Sequence, residues 1–83
     1  MDNQTKSNFV AISYEAVEEA ERALNKYKRP YASEHEFYAV LKEEVDELWD
    51  EIKKKEELRD MAAMRKEAIQ CTAVLIRFIN QIT

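Results

Sequence analysis

Glycine is absent from these 83 residues, and proline occurs once, at Pro30. Sheets depend on tight hairpins, and the favoured hairpin turns need residues that accept positive φ, glycine above all. A chain without them has little means of folding into β-structure, and a glycine-rich phosphate loop is excluded. Cysteine is represented by Cys71 alone. No intramolecular disulfide can form, and a reducing, cytoplasmic compartment is the expectation. Long apolar runs are missing as well. The most apolar stretch, Ala68 to Ile82, is interrupted by Gln70, Arg77 and Asn80, and no segment approaches the ~20 apolar residues of a membrane span. The first eight residues are polar, without the apolar segment of a signal peptide. An excess of positive charge is lacking too. The net charge is −4, and the short basic groups (Lys26, Lys28 and Arg29; Lys53 to Lys55) are flanked by acids. They read as solvated helix surface, which argues against nucleic acid as a partner.

What remains is rich in Ala, Glu, Lys, Leu and Arg, the strong helix formers. Residues 1–83 are expected to form one all-α domain, an antiparallel bundle of three helices, with residues 1–7 as a disordered tail. Val10, Tyr14, Val17, Ala20, Leu24 and Tyr27 recur at steps of three and four, the mark of an amphipathic first helix. It should end near Lys28, because the residue before Pro30 disfavours helical dihedrals. Ser33 and Glu36 have capping-box spacing at the start of a second helix, whose apolar stripe is Phe37, Leu41, Val45, Leu48 and Ile52. The charged stretch from Lys53 to Arg59 holds the next turn, and Asp60 can cap a third helix. That helix carries two apolar ladders, one through Met64, Ala68, Cys71, Leu75, Phe78 and Ile82, the other through Ile69, Ala73, Ile76 and Ile79. Two apolar faces ask for burial on both sides, and the second is expected to meet another copy, giving a homodimer or a higher homo-oligomer.

Carboxylates break the pattern in two places. Glu44 stands on the ladder Phe37, Leu41, Glu44, Leu48 where an apolar side chain would fit, and Glu47 follows one turn along the same face. Glu67 and Gln70 repeat the three-residue spacing on the third helix. Packed antiparallel, the second and third helices would gather Glu44, Glu47, Glu67 and Gln70 around one point. Inward-facing acids repel one another unless a cation or a basic partner holds them, and an oxygen-lined cluster suits Mg²⁺, with Mn²⁺ as a substitute. The other glutamates of the first helix (Glu15, Glu18, Glu19, Glu21) read as surface, His35 as exposed or packing, and Cys71 as a small core residue.

The run Glu43-Glu44-Val45-Asp46-Glu47 fits EExxE, and Glu67-Ala68-Ile69-Gln70 stands where an ExxD motif would follow. In this, and in the flanking His35-to-Leu41 and Arg65-to-Gln70 segments, the chain resembles the MazG-like all-α nucleoside triphosphate pyrophosphohydrolases of the short phage and bacterial type. The resemblance covers roughly Ser33 to Ile79. It implies a helical bundle, dimeric or larger, that hydrolyses (d)NTP to (d)NMP and pyrophosphate with Mg²⁺. Glu44, Glu47 and Glu67 match the metal-ligand carboxylates. Glu43 matches the first acid of the motif, placed either behind the metal ligands or as the group that orients the attacking water. Gln70 departs from the pattern, which has Asp there; an amide oxygen can still coordinate but brings no charge. Trp49, Lys53 and Arg77 are candidates for nucleotide contact. A non-catalytic helical interaction module that keeps the fold with a weakened metal site is the alternative.

Overall fold

The computed structural model describes residues 1–83 and contains three helices: α1 (Asn3–Tyr27), α2 (Glu34–Ile52) and α3 (Met61–Gln81), with a single 3-10 turn (Glu56–Leu58) before α3. There is no strand, and the fold is an all-α three-helix bundle. Each helix start has a side-chain cap. The Asp2 carboxylate accepts the Thr5 N–H at 2.6 Å, and Gln4 donates to Asn8 one turn on. Residues 3–7 are therefore the first turns of α1 and not the tail expected from their polarity; a side-chain cap starts a helix without any apolar contact. Ser33 Oγ accepts the Glu36 N–H at 3.1 Å. The return half of this capping box is displaced, because the Glu36 carboxylate takes the Ala32 N–H at 3.3 Å and pairs with Arg29 at 2.8 Å. Asp60 accepts the N–H groups of both Ala62 and Ala63. Arg59 Nε donates to the carbonyls of Ile52 and Lys54, each at 3.0 Å. This satisfies the end of α2 in a connection that has no glycine to turn it.

The missing glycine has a cost at the end of α1. Lys28 closes that helix in the left-handed region, at φ 56° and ψ 24°, with its N–H on the Leu24 carbonyl. This position usually falls to glycine, because a Cβ there crowds the following carbonyl. Lys28→Gly is expected to stabilise the protein by about 0.5–1 kcal/mol, after allowance for the extra freedom of the unfolded chain. Thermal melts should show a rise of about 2–8 °C for a domain of this size. A Lys28→Val variant should move the other way, and an unchanged melting point for both would refute the assignment.

α3 is the central helix. It packs on both neighbours, whereas α1 and α2 do not pack on each other. α1 runs parallel to it, with Glu15 level with Arg65, Glu19 with Gln70, and Tyr31 just past the end of α1 level with Gln81. α2 runs antiparallel, so that Phe37 stacks on Phe78 at a centroid distance of 3.8 Å near one end and Glu47 meets Glu67 towards the other. Tyr31 and Gln81 exchange two hydrogen bonds, each 2.8 Å, and these tie the α1–α2 connection to the last turn of α3. The two faces of α3 are thus covered in the first instance by the chain's own helices.

The face of α1 that meets α3 is made of small residues. Ala16 and Ala20 are buried and Ala23 is half-buried, whereas Val10, Tyr14, Val17, Leu24 and Tyr27 of the expected ladder are exposed. Small side chains let two helices approach closely, and that contact outweighs the larger side chains on the other flank. Only five residues are buried, which makes the protomer open for its size. Its radius of gyration is 14.3 Å, against about 12 Å for a compact domain of this length. No helix is long and apolar enough to cross a membrane.

Candidate functional site

With α1 and α2 held apart on either side of α3, the molecule has a cleft whose floor is α3. One stripe of α3 faces it: Glu67, Gln70, Val74, Arg77 and Gln81, at steps of three and four. On the α2 wall, Glu44 and Glu47 approach Glu67, and one carboxylate oxygen from each of the three lies within 4.8 Å of the others. Glu44 and Glu67 are half-buried and Glu47 is exposed, so the cluster opens to solvent on the Glu47 side. Glu67 Oε2 is buried and has no hydrogen-bond partner.

The electrostatics of the cluster are those of crowded acids, and the Lys66 charge offsets part of the shift at Glu67. Burial, and then the charges of Glu47 and Glu67, raise the Glu44 carboxyl above its usual range. Burial, and then the Glu47 carboxylate close beside it, do the same for Glu67. Burial and the nearby Glu44 charge push the Cys71 thiol up as well, in keeping with an inert packing residue. A divalent cation fits this donor set. Trans oxygens around Mg²⁺ lie about 4.2 Å apart at ligand distances of ~2.1 Å, so small side-chain adjustments bring the three carboxylates into range. Glu44, Glu47 and Glu67 would hold it, and the orphaned Glu67 oxygen would gain the partner it lacks.

Gln70 lies one turn along from Glu67, but its amide is already engaged. Its Nε2 donates to Glu19 Oε1 of α1 at 2.7 Å, which leaves the amide oxygen for other partners. The second Glu19 oxygen pairs with Arg22 at 2.5 Å. Glu19 therefore belongs to the cleft, although its sequence context reads as surface. The signal was the alanine stripe Ala16, Ala20, Ala23, in which Glu19 is embedded. Glu43 is exposed and outside the three-carboxylate group; its charge nevertheless adds to the upward shift of Glu44.

The three nucleotide-contact candidates part company. Arg77 shares a cavity of about 230 Å³ with Glu44 and Gln70. Trp49 and Lys53 do not border it. Five residues from Glu44 is about 140° of helix rotation and nine is about 180°, which directs both away from the cleft. Trp49 is 55% exposed, and Lys53 pairs with Asp50 at 3.0 Å.

Compared with family models, with curated proteins and with solved structures, the chain matches none.

The raised carboxyls have a thermodynamic consequence. Glu44 and Glu67 hold protons more tightly folded than unfolded, so their contribution to stability is complete below the ordinary Glu value of about 4.3 and is lost as pH rises through their raised values. Glu15 and Glu36, lowered chiefly by hydrogen bonds from Arg65 and Arg29, act in the opposite sense and only as pH falls towards their own lowered values. The metal-free protein should therefore melt higher near about pH 5 than at pH 7. Mg²⁺ should raise the melting temperature more at pH 7, where protons do not compete for the ligands. A metal-free melting point that is flat or climbs over that range would contradict the cluster's geometry.

Proposed function

We propose that this chain is a Mg²⁺-dependent nucleoside triphosphate pyrophosphohydrolase, which converts (d)NTP to (d)NMP and pyrophosphate. The observation that carries the reading is the meeting of Glu44, Glu47 and Glu67 from two antiparallel helices, with a buried Glu67 oxygen left unpartnered. These are the residues that the EExxE and Glu67-to-Gln70 resemblance singles out. When bound, the cation would polarise the α-phosphoryl oxygens and make a water nucleophilic at neutral pH. Glu44 and Glu67 anchor the site from the half-buried side, while the exposed Glu47 closes it where substrate enters. Glu43, exposed beside Glu44, orients the water that attacks the α-phosphorus. The test is pyrophosphate release from a panel of dNTPs and NTPs with Mg²⁺, then Mn²⁺. Turnover that requires the metal supports the reading, and silence across the panel with both metals overturns it.

The same reading includes a homo-oligomer, most simply a dimer. The protomer exposes 6495 Å², whereas a compact monomer of 9.8 kDa exposes about 5,200 Å². The surplus of roughly 1,300 Å² exceeds the ~800 Å² per partner of a standard stable interface. It includes large apolar side chains on every helix, among them Phe9, Val17, Trp49 and Ile79. Sedimentation at micromolar concentration should give about twice the protomer mass or more; a stable 9.8 kDa species would remove the oligomer from the proposal.

One observation favours the rival, a non-catalytic interaction module. The Gln70 amide is occupied by Glu19, as a structural residue's would be. That rival predicts no thermal shift with metal, with nucleotide or with both.

A further inference from the structure

The three helices lie in one layer. α3 packs on α1 and on α2, which do not pack on each other, and the body measures 40 × 33 × 21 Å. The cleft opens on one broad side of this layer, marked by Glu19 on α1, Glu47 on α2 and Gln70 on α3. Residues two, five or nine positions from these three lie about 140–180° round their helices, on the opposite broad side. On α1 they include Val10, Val17 and Leu24; on α2, Tyr38, Val45 and Trp49; on α3, Met61, Leu75 and Ile79. Each of these side chains is 41–64% exposed, and none borders the cavity shared by Glu44, Gln70 and Arg77. On every helix part of the stripe repeats at seven: Val10 to Val17 to Leu24, Tyr38 to Val45, and Met61 through Ala68 to Leu75. That repeat keeps one seam turned towards a partner helix.

A single layer of helices has no second layer of its own against which to bury such a face. Apolar side chains gathered on one side of three helices mark an interaction surface. We infer that the back of the layer is where a second copy of this chain docks, two-fold and back to back, so that both clefts open outward and each is built by one chain. The broad side of the molecule is large enough for the ~800 Å² per partner of a standard interface. The edge charges select a second copy as the occupant. Glu19 is level with Gln70 on the parallel α1, so Glu21 is level with Thr72. Phe37 stacks on Phe78 across the antiparallel pair, so Lys42, five residues on, is level with Ala73, about 1.5 Å away along the axis. Glu21 forms no ion pair, and Lys42 meets only the exposed Asp46. A two-fold axis parallel to α3 keeps every level and exchanges the two edges. It lays α1 of one copy over α2 of the other, sets α3 against α3 along its heptad stripe, and brings Glu21 to the partner's Lys42 on both edges. The inference names a face for the oligomer of the hydrolase reading and rests on that reading for nothing else.

Sedimentation of the full chain from nanomolar to micromolar concentration, with circular dichroism on each sample, is the test. The native chain should be a dimer. Val17→Glu and Trp49→Glu change side chains that the protomer leaves exposed, so both should stay helical while the dimer dissociation constant rises at least about 30-fold. Where either fails to fold, the edge charges carry the test. Glu21→Lys should weaken the dimer severalfold, and adding Lys42→Glu should restore it. A monomeric native chain overturns the inference and removes the oligomer with it. A dimer that both folded variants leave intact overturns the face alone, and so does a charge exchange that restores nothing. Turnover assays on the same samples separate the face from the hydrolase. Triphosphate turnover by a native monomer keeps the hydrolase and removes the face. A dimer broken by Trp49→Glu, in a chain that turns over no triphosphate, keeps the face and removes the hydrolase.

Discussion

Replacing Glu47 by Gln is expected to lower pyrophosphate release by at least about 100-fold, since even partners behind a metal ligand are worth 10–100-fold. The metal-free protein should at the same time become more stable. Glu47 is exposed, so the isosteric amide leaves no cavity, and it removes one of three carboxylates that repel across the α2–α3 contact. Its charge is among the causes that raise both Glu44 and Glu67. With exposure taken into account, the relief is about 0.5 kcal/mol, or roughly 2–4 °C in melting temperature. A residue kept for structure loses stability and activity together, whereas a metal ligand gives up one and gains the other. The stabilisation by Mg²⁺ should also shrink in Glu47→Gln, because binding to the native state stabilises only in proportion to affinity. A variant that turns over at the native rate would remove Glu47 from the site and take the hydrolase assignment with it.

The helices were legible because their signals are local. Ser33 and Asp60 cap α2 and α3 as their side-chain chemistry requires, and the residue before Pro30 ends α1 where the backbone must leave the helix. What the sequence concealed was which face of α1 turns inward. On α1 the larger apolar ladder outweighed the alanine stripe, although close helix approach is built from small side chains, and the alanine stripe is the one that packs. The double-faced pattern of α3 signalled a central position between α1 and α2. Counting partners within the chain explains part of it, and the exposed Ile79 and Ile82 are the remainder.

The candidate site divides along the same line. Glu44, Glu47 and Glu67 could be brought together from spacing alone, because each lies on a helix face whose neighbours are apolar and whose partner helix is the next in sequence. Trp49 offers an aromatic face for a base and Lys53 a charge for phosphate, but helical phase carries both to the far side. Tyr31 was hidden for a different reason. Its approach to Arg77 depends on the end of α1 lying level with the end of α3, across some fifty positions that no local pattern encodes. The Tyr31–Gln81 pair that fixes this end of the cleft joins residues at the same separation.

Gln70→Asp is expected to destabilise the metal-free protein by about 1–3 kcal/mol, the range for leaving a partly buried group without its hydrogen bond. The amide donates to Glu19; aspartate would remove the donor and set a second negative charge against the same carboxylate. For a domain of this size the loss corresponds to about 4–8 °C per kcal/mol. Mg²⁺ should recover part of it, since a fourth charge beside Glu44, Glu47 and Glu67 strengthens the cation's hold. Combining the change with Glu19→Gln moves the amide to α1 and the carboxylate to α3. That pair should regain most of the stability, with a coupling of at least about 1 kcal/mol in a double-mutant cycle. Additive losses would mean that the Glu19–Gln70 contact is incidental. The exchange also bears on activity. Faster turnover by the double variant than by the native chain would show that glutamine at this position trades metal affinity for a clasp between α1 and α3. Restored stability with no turnover in either would leave the clasp as the purpose of Gln70, and the fold as an interaction module.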